Sequence, residues 1–142
     1  MKIKGCFSHN SDDWKTPEFI YKQVKEKGYF DPCPYKCVDF DGLAIDWKLV
    51  NFVNPPYSNL KSWIEKAISE HRKRKQVVLL IPARTDTKAF KMIWDYGAII
   101  EFITGRLKFN EADSAPFPSM LVTLTGKKTI CHLINKEDIK LW

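Results

Sequence analysis

The chain has 142 residues, 44% hydrophobic and 28% charged, a balance that fits one globular domain and excludes disordered and collagen-like classes. Its longest apolar run, Val77-Val78-Leu79-Leu80-Ile81, is far short of the roughly 18–20 residues of a membrane helix. Met1-Lys2-Ile3-Lys4-Gly5-Cys6 lacks the apolar core of a signal peptide, so a soluble, intracellular protein is expected. Lysine and arginine total 23 against 17 acids, a net +6 that suits a polyanionic partner without requiring one.

Thr16-Pro17-Glu18 reads as a helix start, with Thr at the N-cap, Pro at the first helical position and an acid in the first turn. Phe19, Ile20 and Val24 give this helix one apolar face and Gly28 ends it. Tyr29-Phe30-Asp31 reads as a short strand running into a Pro-rich irregular segment. Leu49 to Val53 is a second strand, stopped by Pro55-Pro56. From Asn59 the period turns helical: Trp63, Ile64, Ala67, Ile68 and His71 share a face, with Lys61, Glu65, Lys66 and Glu70 opposite. That helix trails into Arg72-Lys73-Arg74-Lys75.

Val77 to Ile81 follows as a buried strand closed by Pro82. A helix from about Thr87 to Tyr96 has an Asp86/Thr87 cap and a terminating Gly97. Ala98 to Ile103 is again strand, and a Pro-containing loop covers 104–118. Ser119–Thr125 and Lys128–Ile134, joined by Gly126-Lys127, read as an antiparallel hairpin. Alternating strands and helices predict an α/β fold with a mainly parallel sheet and this C-terminal antiparallel hairpin at its edge. No repeat or linker divides the chain, so residues 1–142 are expected to form a single domain.

In open sheets of this kind ligands bind beyond the carboxyl ends of the strands. Asp31, Asn54-Pro55-Pro56-Tyr57 and Pro82-Ala83-Arg84 all fall there. Two consecutive prolines fix the backbone direction, so their carbonyls and flanking side chains are held rigidly. The Asn54 amide oxygen and the Pro55 carbonyl both accept hydrogen bonds and match the two N–H donors of a planar exocyclic amine. Tyr57 supplies a face on which a ring carrying that amine can stack. The set reads as a clamp for an amino-bearing heterocycle, or as a rigid strand-ending turn with a packed Tyr.

The four cysteines, Cys6, Cys33, Cys37 and Cys131, are expected to be thiols in a reducing compartment. Cys6-x-x-His9 with Cys33-x-x-x-Cys37 loosely fits a Cys₃His zinc set, but unlinked thiols are the simpler reading and no metal is assigned. Arg72-Lys73-Arg74-Lys75 reads as a solvated helix end, or as a set of phosphate contacts. Arg84 is the better candidate for a phosphate. Arg106, Lys108 and the loop to Pro118 read as a flap facing a nucleic acid or as a packed Ω-loop. Trp63, Phe90 and Phe102 are expected in the core, and Trp14 and Trp47 in the core or walling a ligand.

A strand followed by Asn-Pro-Pro-Tyr resembles the catalytic motif of AdoMet-dependent amino methyltransferases acting on adenine N6. Over about residues 12–125 the chain resembles the phage-type DNA N-6-adenine methyltransferase (Dam) family. The resemblance is carried by Asp13-Trp14-Lys15-Thr16-Pro17, Asp31-Pro32-Cys33, Asp41-Gly42-Leu43 with Trp47, and Asn54-Pro55-Pro56-Tyr57-Ser58. It continues in Leu80-Ile81-Pro82-Ala83-Arg84-Thr85-Asp86-Thr87, Gly105-Arg106-Leu107-Lys108-Phe109 and Ser114-Ala115-Pro116-Phe117-Pro118-Ser119.

This resemblance implies a compact Rossmann-like AdoMet methyltransferase fold and direct methyl transfer to adenine N6 in DNA, with the base flipped from the duplex. It implies S-adenosyl-L-methionine as cofactor, with Thr16 and Pro17 toward its methionine carboxylate. Asp31-Pro32 then opens the cofactor loop, Asp41 meets the adenine amine, Leu43 packs nearby and Asn54 adjoins the methyl group. Asn54, Pro55, Pro56 and Tyr57 take the catalytic places, and Arg84, Arg106 and Lys108 face DNA. A phage or prophage protein in the bacterial cytoplasm is implied. In place of a Gly-rich loop and crossover helix, the stretch from Asp31 to Leu49 has only Gly42 and is expected to be an irregular loop.

That compression motivates a second reading, a catalytically silent nucleic-acid-binding relative. A third keeps the chemistry on cytosine N4 or RNA adenine, although Asn at position 54 favours adenine. So short a chain leaves little for a separate recognition domain. A short recognition sequence or a homodimer is therefore expected.

Overall fold

The computed structural model describes residues 14–35, 38–109 and 114–142. Helix α1 is Glu18–Glu26, strand β1 Val50–Val53, helix α2 Leu60–Arg72, strand β2 Gln76–Pro82 and helix α3 Lys88–Tyr96. Strands β3 Ala98–Thr104, β4 Ser119–Leu124 and β5 Ile130–Asn135 complete the fold. Thr87 caps α3 as expected, its hydroxyl accepting from Phe90 N at 3.2 Å, and Gly97 ends that helix at φ +110°. At α1 the cap moves one residue on. Pro17 takes an extended ψ of 140°, and its carbonyl accepts from Ile20 N and Tyr21 N, so the Thr16 side chain is left out of the helix end.

Among the described residues one sheet forms, in the order β1-β2-β4-β3-β5. β1 and β2 are parallel, as are β3 and β5, while β4 is antiparallel to both β2 and β3. The sheet is mixed rather than mainly parallel, because β4 is inserted between two strands of the opposite direction. The expected β4–β5 hairpin does not form either: β4 has both edges occupied, so β5 lies on the outer edge of β3 instead. The strand expected at Tyr29-Phe30-Asp31 reduces to one parallel bridge, Phe30 to Asn51.

The chain reaches that outer edge by crossing the start of β3. Thr125 N and Gly126 N both donate to Gly97 O at 3.0 Å, and the Thr129 hydroxyl accepts from Ala98 N and donates to Trp94 O. A Cβ at Gly97 would lie 1.9 Å from the Lys127 carbonyl oxygen, and its φ is one that L side chains rarely adopt. Gly97→Ala is therefore expected to cost at least about 2 kcal/mol, from left-handed strain together with displacement of the crossing loop. Urea unfolding measures this, and a loss under half that size would show that the loop yields freely.

Helices α2 and α3 cover one face of the sheet through Trp63, Ile64, Ala67, Ile68 and Ile93. The other face packs Ile20 and Val24 of α1, the loop residues Leu107, Phe109, Ala115 and Phe117, and Ile139 and Leu141. Gln23 ties that last segment to α1, its amide donating to Ile139 O at 2.9 Å and accepting from Leu141 N at 2.8 Å. Glu70 is a further correction. Expected on the solvent face of α2, it is wholly buried, with Lys66, Lys73 and Lys75 around it. The loop from Asp31 to Leu49 has no helix among its described residues.

Candidate active site

β1, β2, β3 and β5 end, and β4 begins, along one edge of the sheet. At that edge β1 runs straight into Asn54 and Pro55, both buried, then Pro56. Tyr57 opens a single 3-10 turn that leads into α2. Proline lacks an N–H and cannot continue the ladder, so the turn after Val53 is dictated by residues 55 and 56. The Asn54 side chain is 8% exposed and every polar atom on it is engaged. Its Nδ2 donates to Trp14 O at 2.6 Å and to Thr16 Oγ1 at 3.1 Å, while its Oδ1 accepts from the Tyr57 hydroxyl at 3.3 Å. Burial pushes the Tyr57 pKa up, which keeps the phenol protonated and donating.

Beside this turn lies a cleft of about 500 Å³, within the size range of small-ligand sites. Trp14, Tyr57 and Phe117 form its aromatic wall, with Ile81, Pro82 and Met120 behind them and Phe90 of α3 opposite. The Tyr57 and Phe117 rings meet edge to face at 5.2 Å, and Trp14 meets Phe117 at 5.5 Å. Arg84 is exposed on the rim, its guanidinium 5.8 Å from the centre of the Phe117 ring. Asn54 does not line the cleft, but it bonds to two residues that do.

Of the residues expected around a cofactor, Thr16 and Asn54 meet at the Asn-Pro-Pro-Tyr turn with Pro17 next to them at the start of α1, while Asp31, Pro32, Asp41 and Leu43 fall elsewhere. Asp31 follows the Phe30 bridge, and its carboxylate accepts from Cys33 N at 2.9 Å. Burial pushes its pKa up to about 7, and no ion pair among the described residues reaches it. Asp41 accepts from Leu43 N at 3.0 Å and so shapes its own turn, while Leu43 packs half-buried on the α2 side. The two loops touch: a Cβ at Gly42 would lie 2.0 Å from Pro32 O. Asp31, Pro32, Asp41 and Leu43 thus form one neighbourhood, and none of them lines the aromatic cleft.

Arg106 donates to Ala115 O at 3.3 Å, Leu107, Phe109 and Ala115 are buried, and Lys108 is exposed. Phe117, Trp14 and Phe90 form the cleft that sequence reasoning did not assemble. The signal available was the Pro-Phe-Pro step at 116–118, which holds an aromatic side chain rigidly on a loop. Trp47 is core, buried to 3%, its indole donating to Gly42 O at 2.8 Å. Cys6, His9 and Cys37 of the loose zinc fit, to which no metal is assigned, lie outside the described residues, as does Asp13.

Fold and site together define an α/β protein with a ring-sized aromatic cleft beside a rigid Asn-Pro-Pro-Tyr turn. The family model for DNA N-6-adenine-methyltransferase (Dam) matches residues 6–139, and the chain belongs to this family. None of the curated proteins matches it. No helix among the described residues is long and apolar enough to cross a membrane.

Proposed function

We propose that this chain transfers a methyl group from AdoMet directly to N6 of an adenine flipped out of DNA. The observation that carries this reading is the Asn54 amide, oriented with Oδ1 toward Tyr57 at the aromatic cleft. Unstacking the base costs a few kcal/mol. Stacking against Tyr57 and Phe117, at roughly 1–3 kcal/mol per base, offsets part of it. The N6 amine donates to Asn54 Oδ1 and Pro55 O, in place of the long bond from the Tyr57 hydroxyl. These acceptors grip more tightly as positive charge develops on nitrogen, so they favour the transition state over the ground state. Arg84 and Lys108 are exposed for phosphate contacts.

AdoMet, when bound, supplies an electrophilic methyl on a sulfonium. The residues fit that group in one specific respect: Asp31 is a half-buried acid to which the described residues bring no counter-charge. A cationic ligand there restores its charge. Asp31→Asn keeps the acceptor for Cys33 N but removes the group that attracts a cation. It is expected to weaken AdoMet binding while raising the stability of the free protein at pH 8.

The sign follows from the raised pKa. The folded state holds its proton to about 7 and the unfolded state only to 3.8, so wild-type stability falls as pH rises between those values. The variant's advantage therefore grows from pH 4 to pH 7. Thermal melts and AdoMet titrations across that range check both effects. An advantage that does not change with pH would remove the charge argument.

The deciding experiment incubates the protein with AdoMet and unmethylated duplex DNA and quantifies methylated nucleosides by mass spectrometry. N6-methyladenine is the expected product. N4-methylcytosine would keep the mechanism and change the base. Neither product, in a chain that also fails to bind AdoMet, would favour a silent nucleic-acid-binding relative.

A further inference from the structure

We infer that Thr16 is a positioning element that holds the Asn54 amide in the orientation the Trp14 carbonyl selects. The inference rests on the transfer reading above and extends it to a segment outside the Asn-Pro-Pro-Tyr turn. An asparagine amide is almost symmetric in shape, so a half-turn about its last bond exchanges an acceptor oxygen for a two-hydrogen donor. Only one orientation suits an amine substrate. With Nδ2 turned to the Tyr57 side, where the amine is proposed to bind, donor would face donor and the clamp would repel the group it has to grip.

Packing alone does not choose between the two, because both fill the same volume. Hydrogen bonds do. The Trp14 carbonyl accepts and cannot donate, and it lies 2.6 Å from Nδ2, so a flipped amide would press oxygen against oxygen in a buried site. Thr16 Oγ1 can donate or accept, so it does not choose the orientation. It takes the second Nδ2 hydrogen at 3.1 Å and so restrains the amide once the Trp14 carbonyl has set it, with Thr16 itself 9% exposed. On the other side, among the described residues, Oδ1 holds only the 3.3 Å bond from Tyr57, near the long limit for an O–H donor. The amide is thus anchored through its nitrogen and readily exchangeable at its oxygen, the asymmetry that an incoming amine requires.

The local sequence makes Thr16 available for this. The carbonyl of Pro17 begins α1, so the Thr16 hydroxyl does not cap the helix and turns to Asn54 instead. The start of α1 and the end of β1 are therefore joined at the one side chain whose orientation decides the chemistry.

Thr16→Val removes the hydroxyl at nearly constant volume, and Thr16→Ser keeps it. In the free protein, the Asn54 side-chain amide resonances are expected to shift in Thr16→Val and to exchange with solvent about tenfold faster, the scale of one hydrogen bond. Thr16→Ser should restore them. In the transfer assay, kcat is expected to fall about five- to tenfold in Thr16→Val, for the same reason, with the DNA KM and AdoMet affinity unchanged and Ser restoring the rate. Unaltered Asn54 resonances in Thr16→Val would overturn the proposal. So would weakened AdoMet binding with an unchanged rate at saturation, which would place Thr16 on the cofactor instead. A wild-type chain that makes no methylated base would sink the transfer reading, and the amide resonances would still decide whether Thr16 holds the Asn54 amide.

Discussion

Asn54→Ala is expected to lower the methyl-transfer rate by about 10²–10³-fold, the usual cost of removing one donor or acceptor aimed at developing charge. AdoMet affinity should stay close to that of the wild type, since Asp31 and Asp41, the acids proposed for the cofactor, belong to the 31–45 loops and not to this turn. The truncation also strands three groups at once: the Trp14 carbonyl, the Thr16 hydroxyl and the Tyr57 hydroxyl. Partners left unsatisfied in a buried site cost about 1–3 kcal/mol of stability, so rates must be compared at matched folded fraction. Asn54→Asp is the informative companion. It keeps an acceptor toward Tyr57 but sets a second oxygen against the Trp14 carbonyl, and it is expected to fail as a rescue. Single-turnover rates and AdoMet titrations of both variants decide the matter; a parallel loss of rate and cofactor affinity in Asn54→Ala would remove Asn54 from the clamp.

The parts of this site written in consecutive residues were the parts legible in the sequence. Asn54-Pro55-Pro56-Tyr57 needs no distant partner to define its shape, because proline sets the backbone locally, and β1 and α2 flank it as expected. The Thr87 cap and the Gly97 stop of α3 are equally local. What escaped depended on contacts between distant residues. Whether β5 pairs with β4 or passes beyond it depends on which edges of β4 are already filled, and a two-residue connection cannot reveal that. The cleft joins Trp14, Tyr57, Phe90 and Phe117 from four separate segments. Thr16 looked like a cap because Thr before Pro and Glu usually is one, and its bond to Asn54 spans 38 positions. Glu70 lay on the polar face by periodicity, and only the chain's turn after α2 brings Lys73 and Lys75 back over it.

Glu70→Gln is expected to reduce folding stability at pH 7 by about 3 kcal/mol, the value of moving a carboxyl from 4.5 to about 2. Burial by itself would raise that pKa. It is outweighed by hydrogen bonds from Lys75 at 2.6 Å, Trp47 N at 2.7 Å and Lys73 at 3.0 Å, with Lys66 at 3.6 Å. Glutamine stands in for the protonated acid: it keeps the shape and an acceptor but loses the charge that three lysines surround. Because the folded-state pKa is depressed, the unfolded chain binds the extra proton. The wild-type advantage is therefore complete above pH 4.5 and is lost as pH falls toward 2, where the two proteins should converge in urea unfolding. A gap as wide at pH 2 as at pH 7 would mean that packing, not charge, is what Glu70 supplies. The same variant weakens, without removing, the bond from Trp47 N, which exchanges a charged acceptor for a neutral one, and the Trp47 indole holds the Gly42 carbonyl in the loop that carries Asp41. AdoMet affinity is thus expected to fall more than affinity for DNA, a result that would tie the lysine cluster after α2 to the proposed cofactor loops and not to phosphate contacts.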